Sequence, residues 1–279
     1  MKILTERAGR IVNAAKLKKA SGRKGTGQFL VEGINSVEAA VEAGCAQDIF
    51  VEQSLLDSDS PQLAGRDLVG FLANARSQRV FVHAIDDKAA AKLADTVTSP
   101  GIFAVCDSHR VVGDIGSLGE NIEQSQLVAV AVNTADPGNA GTLIRLADAM
   151  GAGAVIFAGD SVDPLNGKVV RASAGSLFHL PVIRESAMDT VLKTLRDGGL
   201  NLLATAANGE IDITDFKQAG RILSQPTAWL FGNEAHGLGE ELLEQADFRV
   251  SIPIRGHAES LNLATAAAIC LYESSRHLY

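Results

Sequence analysis

Several kinds of chemistry find little support in this chain of 279 residues. Its three cysteines, Cys45, Cys106 and Cys270, lie far apart and make no metal-ligand spacing. The six histidines are scattered too, so no resident metal is expected. No apolar run reaches the length of a membrane-spanning helix, so no span is expected. The stretch Met1-Lys2-Ile3-Leu4-Thr5-Glu6-Arg7 lacks the apolar core of a signal peptide. Reduced thiols and a cytoplasmic location are therefore the expectation. Internal repeats and low-complexity tracts are absent. Also absent is the Gly-x-Gly-x-x-Gly turn of dinucleotide oxidoreductases. The turn after the first long apolar strand reads Asp136-Pro137-Gly138-Asn139-Ala140-Gly141 instead.

Positive charge is scarce overall but concentrated. The net charge is −8, which by itself argues against a nucleic-acid partner. Residues 1–30, however, carry eight basic residues against Glu6 alone, a local +7 that leaves −15 for the remainder. Arg10, Lys18, Lys19, Arg23 and Lys24 belong to this arm. A basic arm on an acidic body is suited to phosphate contacts, or else forms a solvated helix face.

The first hundred residues alternate between helical and extended patterns, the signature of a small α/β/α layer domain. Strands are predicted at Phe29–Gly33, Asp48–Val51, Val80–Val82 and Gly101–Cys106. Asn35-Ser36-Val37-Glu38 fits a capping box opening a helix to about Glu42, and Asp86 fits the cap of a helix through Leu93. Leu17 to Gly27, basic and containing glycine, reads as a loop. Residues 108–125 are polar with Gly113, Gly116 and Gly119 and read as a linker. From 126 to 279, strands at 127–132, 154–158, 201–205, 227–231 and 248–252 alternate with helices. That pattern predicts a mainly parallel sheet covered on both faces. The expected organisation is thus an α/β chain with domains at 1–107 and 126–279.

Three loops stand out. Asn133 to Gly141 follows the apolar strand Leu127–Val132 and precedes a helical segment, Thr142 to Met150. Phe231-Gly232-Asn233-Glu234-Ala235-His236-Gly237-Leu238 follows the strand-like Ala228-Trp229-Leu230. Ser260-Leu261-Asn262 opens an apolar run reaching Leu271, and Ser and Asn are good helix starters. That last helix is apolar on almost every face and must be buried, in its own core or against a second subunit. The first two loops sit where parallel strands end, the edge at which open α/β sheets bind ligands.

Taken in order, these loops resemble the three motifs of the SpoU (TrmH-like) branch of the SPOUT RNA methyltransferases. The first matches through Asn133, Asp136, Pro137, Asn139, Gly141 and Arg145. The second matches through Gly232, Asn233, Glu234 and Gly237, and the third through Ile252, Pro253, Ser260, Leu261 and Asn262. Lys168 to Ser176 is also similar to the family, and the match covers roughly 126 to 279. Phe29, Glu32 and Gly33 resemble, more weakly, the start of the N-terminal substrate-binding domain found in many SpoU enzymes.

The resemblance implies a trefoil knot in the C-terminal domain and methyl transfer from S-adenosylmethionine to an RNA ribose 2′-hydroxyl. It favours rRNA over tRNA, and a homodimer joined through the C-terminal domain. It points to Thr205, Ala206, Ala207, Gly232, Asn233, Ile252, Ile254 and Leu261 as the cofactor pocket. Arg145 is the leading catalytic candidate. Guanidinium is effectively never neutral in proteins, so a grip on the phosphate beside the target ribose is expected rather than a base. Asn139 would orient substrate or loop, and Ser260 and Asn262 would close the site. Glu234 would hold Arg145 or neighbouring backbone, or take the proton. Arg171 would contact RNA phosphate or form an interface salt bridge. A non-catalytic RNA-binding or ribosome-assembly factor is the alternative reading, against which the presence of all five candidate catalytic residues argues.

Overall fold

The structure is a computed structural model that describes residues 2–57, 62–63, 65–118, 126–233 and 236–278. In chain order the first elements are α1 (Gly9–Lys16), α2 (Ala20–Thr26), β1 (Gln28–Glu32), α3 (Ile34–Glu42), β2 (Ala46–Glu52), α4 (Gln53–Leu56), β3 (Gln62–Leu63), β4 (Arg66–Asp67), α5 (Leu68–Ser77), β5 (Phe81–Ile85), α6 (Asp87–Leu93) and β6 (Ile102–Asp107). There follow β7 (Val112–Gly113), β8 (Leu127–Val132), α7 (Pro137–Ala149), β9 (Ala154–Ala158), α8 (Gly167–Ser173), β10 (Val182–Glu185), α9 (Met188–Asp197) and β11 (Asn201–Thr205). The chain ends with β12 (Ile211–Asp212), α10 (Gln218–Leu223), β13 (Thr227–Phe231), α11 (Glu240–Gln245), β14 (Phe248–Ser251) and α12 (Leu263–Leu278).

Two compact units result, and they do not follow chain order. The first comprises Met1–Val111 together with Leu165–His179, and the second Val112–Pro164 and Leu180–Tyr279. The first unit holds a four-stranded sheet in the order β1-β6-β2-β5, of which only the β2–β5 pair is parallel. Alternation along the strands buries Leu30, Phe50, Ile85, Phe103 and Val105 with Ile11 of α1 and Leu93 of α6. The inserted segment packs here through α8 on β1, with the Phe178 ring stacked on Phe29 at 6.2 Å. The Arg171 guanidinium donates to the buried Glu32 carboxylate at 3.0 Å, and Glu32 also accepts from the Thr96 hydroxyl at 2.6 Å. A carboxylate with this little exposure needs such partners.

Two local expectations are corrected. Leu17–Gly27 is not a loop throughout, because Ala20–Thr26 forms α2. Gly22 permits it: a Cβ there would lie 2.2 Å from the Lys16 carbonyl oxygen. The helix stops at Gly27, in the left-handed region at φ 64°. In α3 the cap is Gly33 and no side chain serves, so the capping box at Asn35–Glu38 does not form. The Asp86 cap does form, its carboxylate accepting from the Ala89 N–H at 2.7 Å.

In the second unit, eight strands lie in the order β12-β14-β11-β13-β8-β9-β10-β7, all parallel. β8, β9 and β13 are buried at every position, as expected of strands covered on both faces. One face packs Val128, Val130, Ile156 and Leu202 against Val191, Leu192 and Leu195 of α9. On the other, α7 and α12 pack on each other and on β8. Here the Trp229 indole N–H donates to the Ser274 hydroxyl of α12 at 2.8 Å in a fully buried setting. The apolar C-terminal helix is therefore buried at Leu263, Ala267, Cys270 and Leu271 within its own unit. The three cysteines are free and buried, and burial pushes the Cys106 and Cys270 thiols up, away from reactive thiolate. Among the described residues no helix is long and apolar enough to cross a membrane, and no cluster of side chains suits a metal ion.

Replacing Ser274 by Ala leaves the Trp229 N–H without a partner, at a cost of about 1–3 kcal/mol. Trp229 is the chain's one tryptophan, so its fluorescence follows the event. Denaturant unfolding of Ser274→Ala should shift to lower midpoint; an unchanged midpoint would contradict the role given to this bond.

Candidate functional site

Because the strands are parallel, β8, β11, β13 and β14 all end at one edge of the sheet. Of the loops leaving that edge, those after β8, β9, β13 and β14 are tied together by asparagines. Asn133, after β8, adopts a positive φ of 51°. Its side-chain oxygen accepts from the Asp160 N–H at 2.9 Å, and its carbonyl accepts from Asn233 Nδ2 at 2.7 Å. Asn133 thus joins the loops after β8, β9 and β13. Gly159 makes this approach possible, since a Cβ there would sit 2.3 Å from the Asn133 side-chain oxygen.

The loop after β13 closes on itself. Asn233 and Gly237 exchange backbone hydrogen bonds at 3.1 and 2.8 Å. Gly232 lies so close to this return that a Cβ would come within 2.3 Å of the Gly237 carbonyl carbon. No side chain fits, so glycine is required here by space rather than by φ. Glu234, which the sequence singled out, lies outside the described residues.

The helix after β8 begins earlier than expected, at Pro137, with Asp136 as cap accepting from the Asn139 N–H at 2.8 Å. Asn139 is consequently in the first turn of α7, and its side-chain oxygen accepts from Asn262 Nδ2 at 3.0 Å. Asn262 also caps α12, its own side-chain oxygen accepting from the Ala264 N–H at 2.9 Å. One amide therefore fixes the start of the last helix and joins it to the first motif across 123 residues of sequence.

A groove opens beside these loops. A cavity of about 160 Å³ is lined by Thr205, Ala206, Ala207, Ile252, Ile254 and Leu261, with Ser260 at its edge. Six of the eight residues expected to hold a cofactor are thus brought together. Ile254 and Leu261 are more than a third exposed, an apolar pair with no cover in the free chain. A second cavity of about 580 Å³ shares Thr205–Ala207 and continues past His236, Leu238, Glu240 and Glu244. That size suits a small organic ligand. Gly232 and Asn233 do not line either cavity; they brace the loop whose Gly237 and Leu238 do. The sequence carried no separate signal for Glu240, which read only as part of a helix, or for Glu244.

The remaining candidates are dispersed. Arg145 is exposed on α7, six residues beyond Asn139, and does not line the groove. Among the described residues no hydrogen bond or ion pair engages its guanidinium. Of the expected phosphate contacts, Arg10 is paired with Asp48 at 2.6 Å and Lys18 with Asp95 at 3.2 Å. Arg23 is buried, donating to the Leu17 and Lys18 carbonyls. Arg171 is held by Glu32 and Asp95 within the first unit, so its salt bridge is internal. These four serve the fold of the first unit, while Lys19 and Lys24 stand exposed.

Replacing Asn262 by Ala should lower unfolding stability by about 1 kcal/mol through loss of the α12 cap. Asn262→Asp keeps the cap but has no amide to offer Asn139, so it should recover most of that loss. Equal destabilisation by both variants would show that the cap is not the stabilising element.

Comparison with known proteins agrees with this geometry. The SpoU rRNA Methylase family matches residues 126–272, and the MRM3-like substrate binding domain matches residues 9–104. The 23S rRNA (guanosine(2553)-2′-O)-methyltransferase RlmP of Bacillus subtilis is 30% identical over 92% of this chain and 92% of its own. A crystal structure of an AdoMet-bound rRNA methyltransferase from Sinorhizobium meliloti is similar with a TM-score of 0.80 at 28% identity, covering 100% of this chain and 98% of that one. The SpoU methyltransferase AviRb of Streptomyces viridochromogenes, in complex with AdoMet, is similar with a TM-score of 0.77 at 31% identity, covering 96% and 98%. The chain belongs to the SpoU rRNA methylase family.

Proposed function

We propose that this SpoU family member transfers a methyl group from S-adenosylmethionine to a ribose 2′-hydroxyl of ribosomal RNA. The observation that carries the reading is the groove at the C-terminal edge of the parallel sheet, beside loops joined by the Asn139–Asn262 bond. Relatives named as 23S rRNA 2′-O-methyltransferases support the substrate, and neighbours solved with AdoMet support the cofactor.

The groove's chemistry fits this cofactor. Backbone groups at Thr205–Ala207 offer donors and acceptors to an adenine edge, and Ile252, Ile254 and Leu261 offer apolar surface to its ring. On the adjoining wall Arg249 is paired with Glu210, which leaves Glu240 and Glu244 to suit a ligand that carries positive charge. The cofactor supplies an electrophilic methyl, so the protein's task is to align the hydroxyl and help remove one proton. Asn139 and Asn262 hold the loops that flank the reacting groups. Ser260, at the rim, closes over them. Glu234 orders this edge or accepts the proton.

Arg145 in this proposal grips the phosphate next to the target ribose and lowers the hydroxyl's pKa through its charge. Its exposed position outside its own groove supports a homodimer in which a second copy brings this residue to the site. Tyr272 of α12, half exposed and outside the groove, gives such a contact apolar surface. A trefoil knot and a cytoplasmic location belong to the same reading. Insertion of β13 between the earlier strands β8 and β11, followed by return of the chain to α7, supports the knot.

The test is transfer of labelled methyl to unmodified rRNA and tRNA followed by alkaline hydrolysis. Label in an alkali-resistant dinucleotide from rRNA is expected; label in mononucleotides would mean base methylation and overturn the ribose assignment. Arg145→Lys should cut the rate about 100-fold, the scale of losing one positioned donor, while leaving cofactor affinity unchanged. A fully active lysine variant would rule out a grip that depends on the paired donors of the guanidinium.

A further inference from the structure

A second polar cavity lies in the C-terminal unit, away from the groove. Its volume is about 670 Å³, and it is lined by Lys217, Arg221, Gln218, Gln225, Asn201 and Phe248 among others. Asn201 and Phe248 are the first residues of β11 and β14. This cavity therefore sits at the N-terminal ends of strands whose C-terminal ends form the groove. At about 3.3 Å per residue, the length of β11 separates the two by roughly 15 Å.

Its lining is cationic, on a chain whose net charge is −8. Lys217 and Arg221 are exposed, and among the described residues neither side chain has an ion-pair partner. No carboxylate lines the cavity. The acids nearest in sequence are occupied: Asp215 accepts from the Lys217 and Gln218 N–H groups, and Asp247 from the Leu202 N–H. Lys217, the N-cap of α10, and Arg221 in its last turn are four residues apart, a spacing at which like charges repel. A local conflict without local compensation marks a site used for something outside the chain. Beside them Phe216 is 80% exposed, its ring 6.2 Å from the His277 imidazole. Two unpaired cations, three side-chain amides and an exposed aromatic ring are the components of a surface that tracks a phosphodiester backbone and stacks bases.

We infer that this cavity is an RNA-binding subsite, in which Lys217 and Arg221 hold backbone phosphates of the strand and Phe216 stacks a base. The inference rests on the RNA methyltransferase reading and extends it, because Arg10, Lys18, Arg23 and Arg171 of the N-terminal unit are already held by internal partners. Lys217 and Arg221 are exposed and away from the groove, so their replacement leaves cofactor binding and folding intact.

The experiment measures binding of unmodified 23S rRNA by the full chain at a series of salt concentrations, together with methyl transfer. For Lys217→Gln/Arg221→Gln, affinity at low salt should fall at least fivefold. The log–log salt slope should drop by about 1.4, the value for losing two single-strand phosphate contacts. Phe216→Ala should weaken binding with the slope unchanged. S-adenosylmethionine affinity and the unfolding midpoint should not move. An unchanged affinity and slope in the double variant, with methyl transfer by the parent intact, would overturn the subsite and leave the methyltransferase reading standing. The expected loss in a parent that binds rRNA but transfers no methyl would sustain the subsite and remove that reading. A parent that binds no rRNA would overturn both.

Discussion

An all-parallel sheet sends every strand's C-terminal end to the same edge, and the site of this protein depends on that constraint. Four loops that are far apart in sequence leave that edge side by side. They are short of room: a Cβ on Gly159 would lie 2.3 Å from Asn133 of a neighbouring loop, and one on Gly232 would lie 2.3 Å from the return of its own loop at Gly237. Loops this close satisfy one another's polar groups rather than water's. Asn133, Asn233, Asn139 and Asn262 perform that task, each amide offering a donor and an acceptor at once. The result is a polar framework anchored on buried β8, β13 and α12, rigid enough to present bare backbone at Thr205–Ala207 to a ligand.

The two ends of the sheet then divide the work. The C-terminal edge carries the apolar and acidic groove suited to a cationic cofactor. The opposite end carries the unpaired cations Lys217 and Arg221. The N-terminal unit, by contrast, spends most of its basic residues on itself. Arg10, Lys18, Arg23 and Arg171 all meet internal carboxylates or carbonyls. A charge count over residues 1–30 therefore overstates what that arm offers to RNA, because it cannot see which cations the fold has already paired.

How much was legible in the sequence follows from burial. β8, β9 and β13 are buried at every position and, apart from Thr227, apolar; they were readable to the residue, as were β11 and the end of α3 at Glu42. β10 was not, since only Val182 and Ile183 are buried while Arg184 faces out. β7 and β12, two residues each, leave no periodic trace. α2 was hidden by its glycines, which normally break helices but here allow contact with the Lys16 carbonyl. The start of α7 was placed too late because Pro137 reads as a breaker, although proline is favoured in a helix's first turn. Membership of Leu165–His179 in the N-terminal unit rests on pairs such as Glu32–Arg171, separated by 139 residues. The groove itself was reached through resemblance; nothing in composition or spacing relates Thr205 to Leu261. Glu240 was overlooked because an acid in a helix's first turn is ordinary dipole chemistry, and Glu244, near the end of the same short helix, stands in no motif.

The central claim is that the asparagine-tied loops at the C-terminal edge build the cofactor site. A crystal structure of the chain with S-adenosylhomocysteine tests it most directly. The account predicts the adenine between Ile252, Ile254 and Leu261, bonded to backbone at Thr205–Ala207, with the Asn139–Asn262 bond intact. Density for the ligand at the cationic cavity of Lys217 and Arg221, or anywhere but that edge, would contradict it.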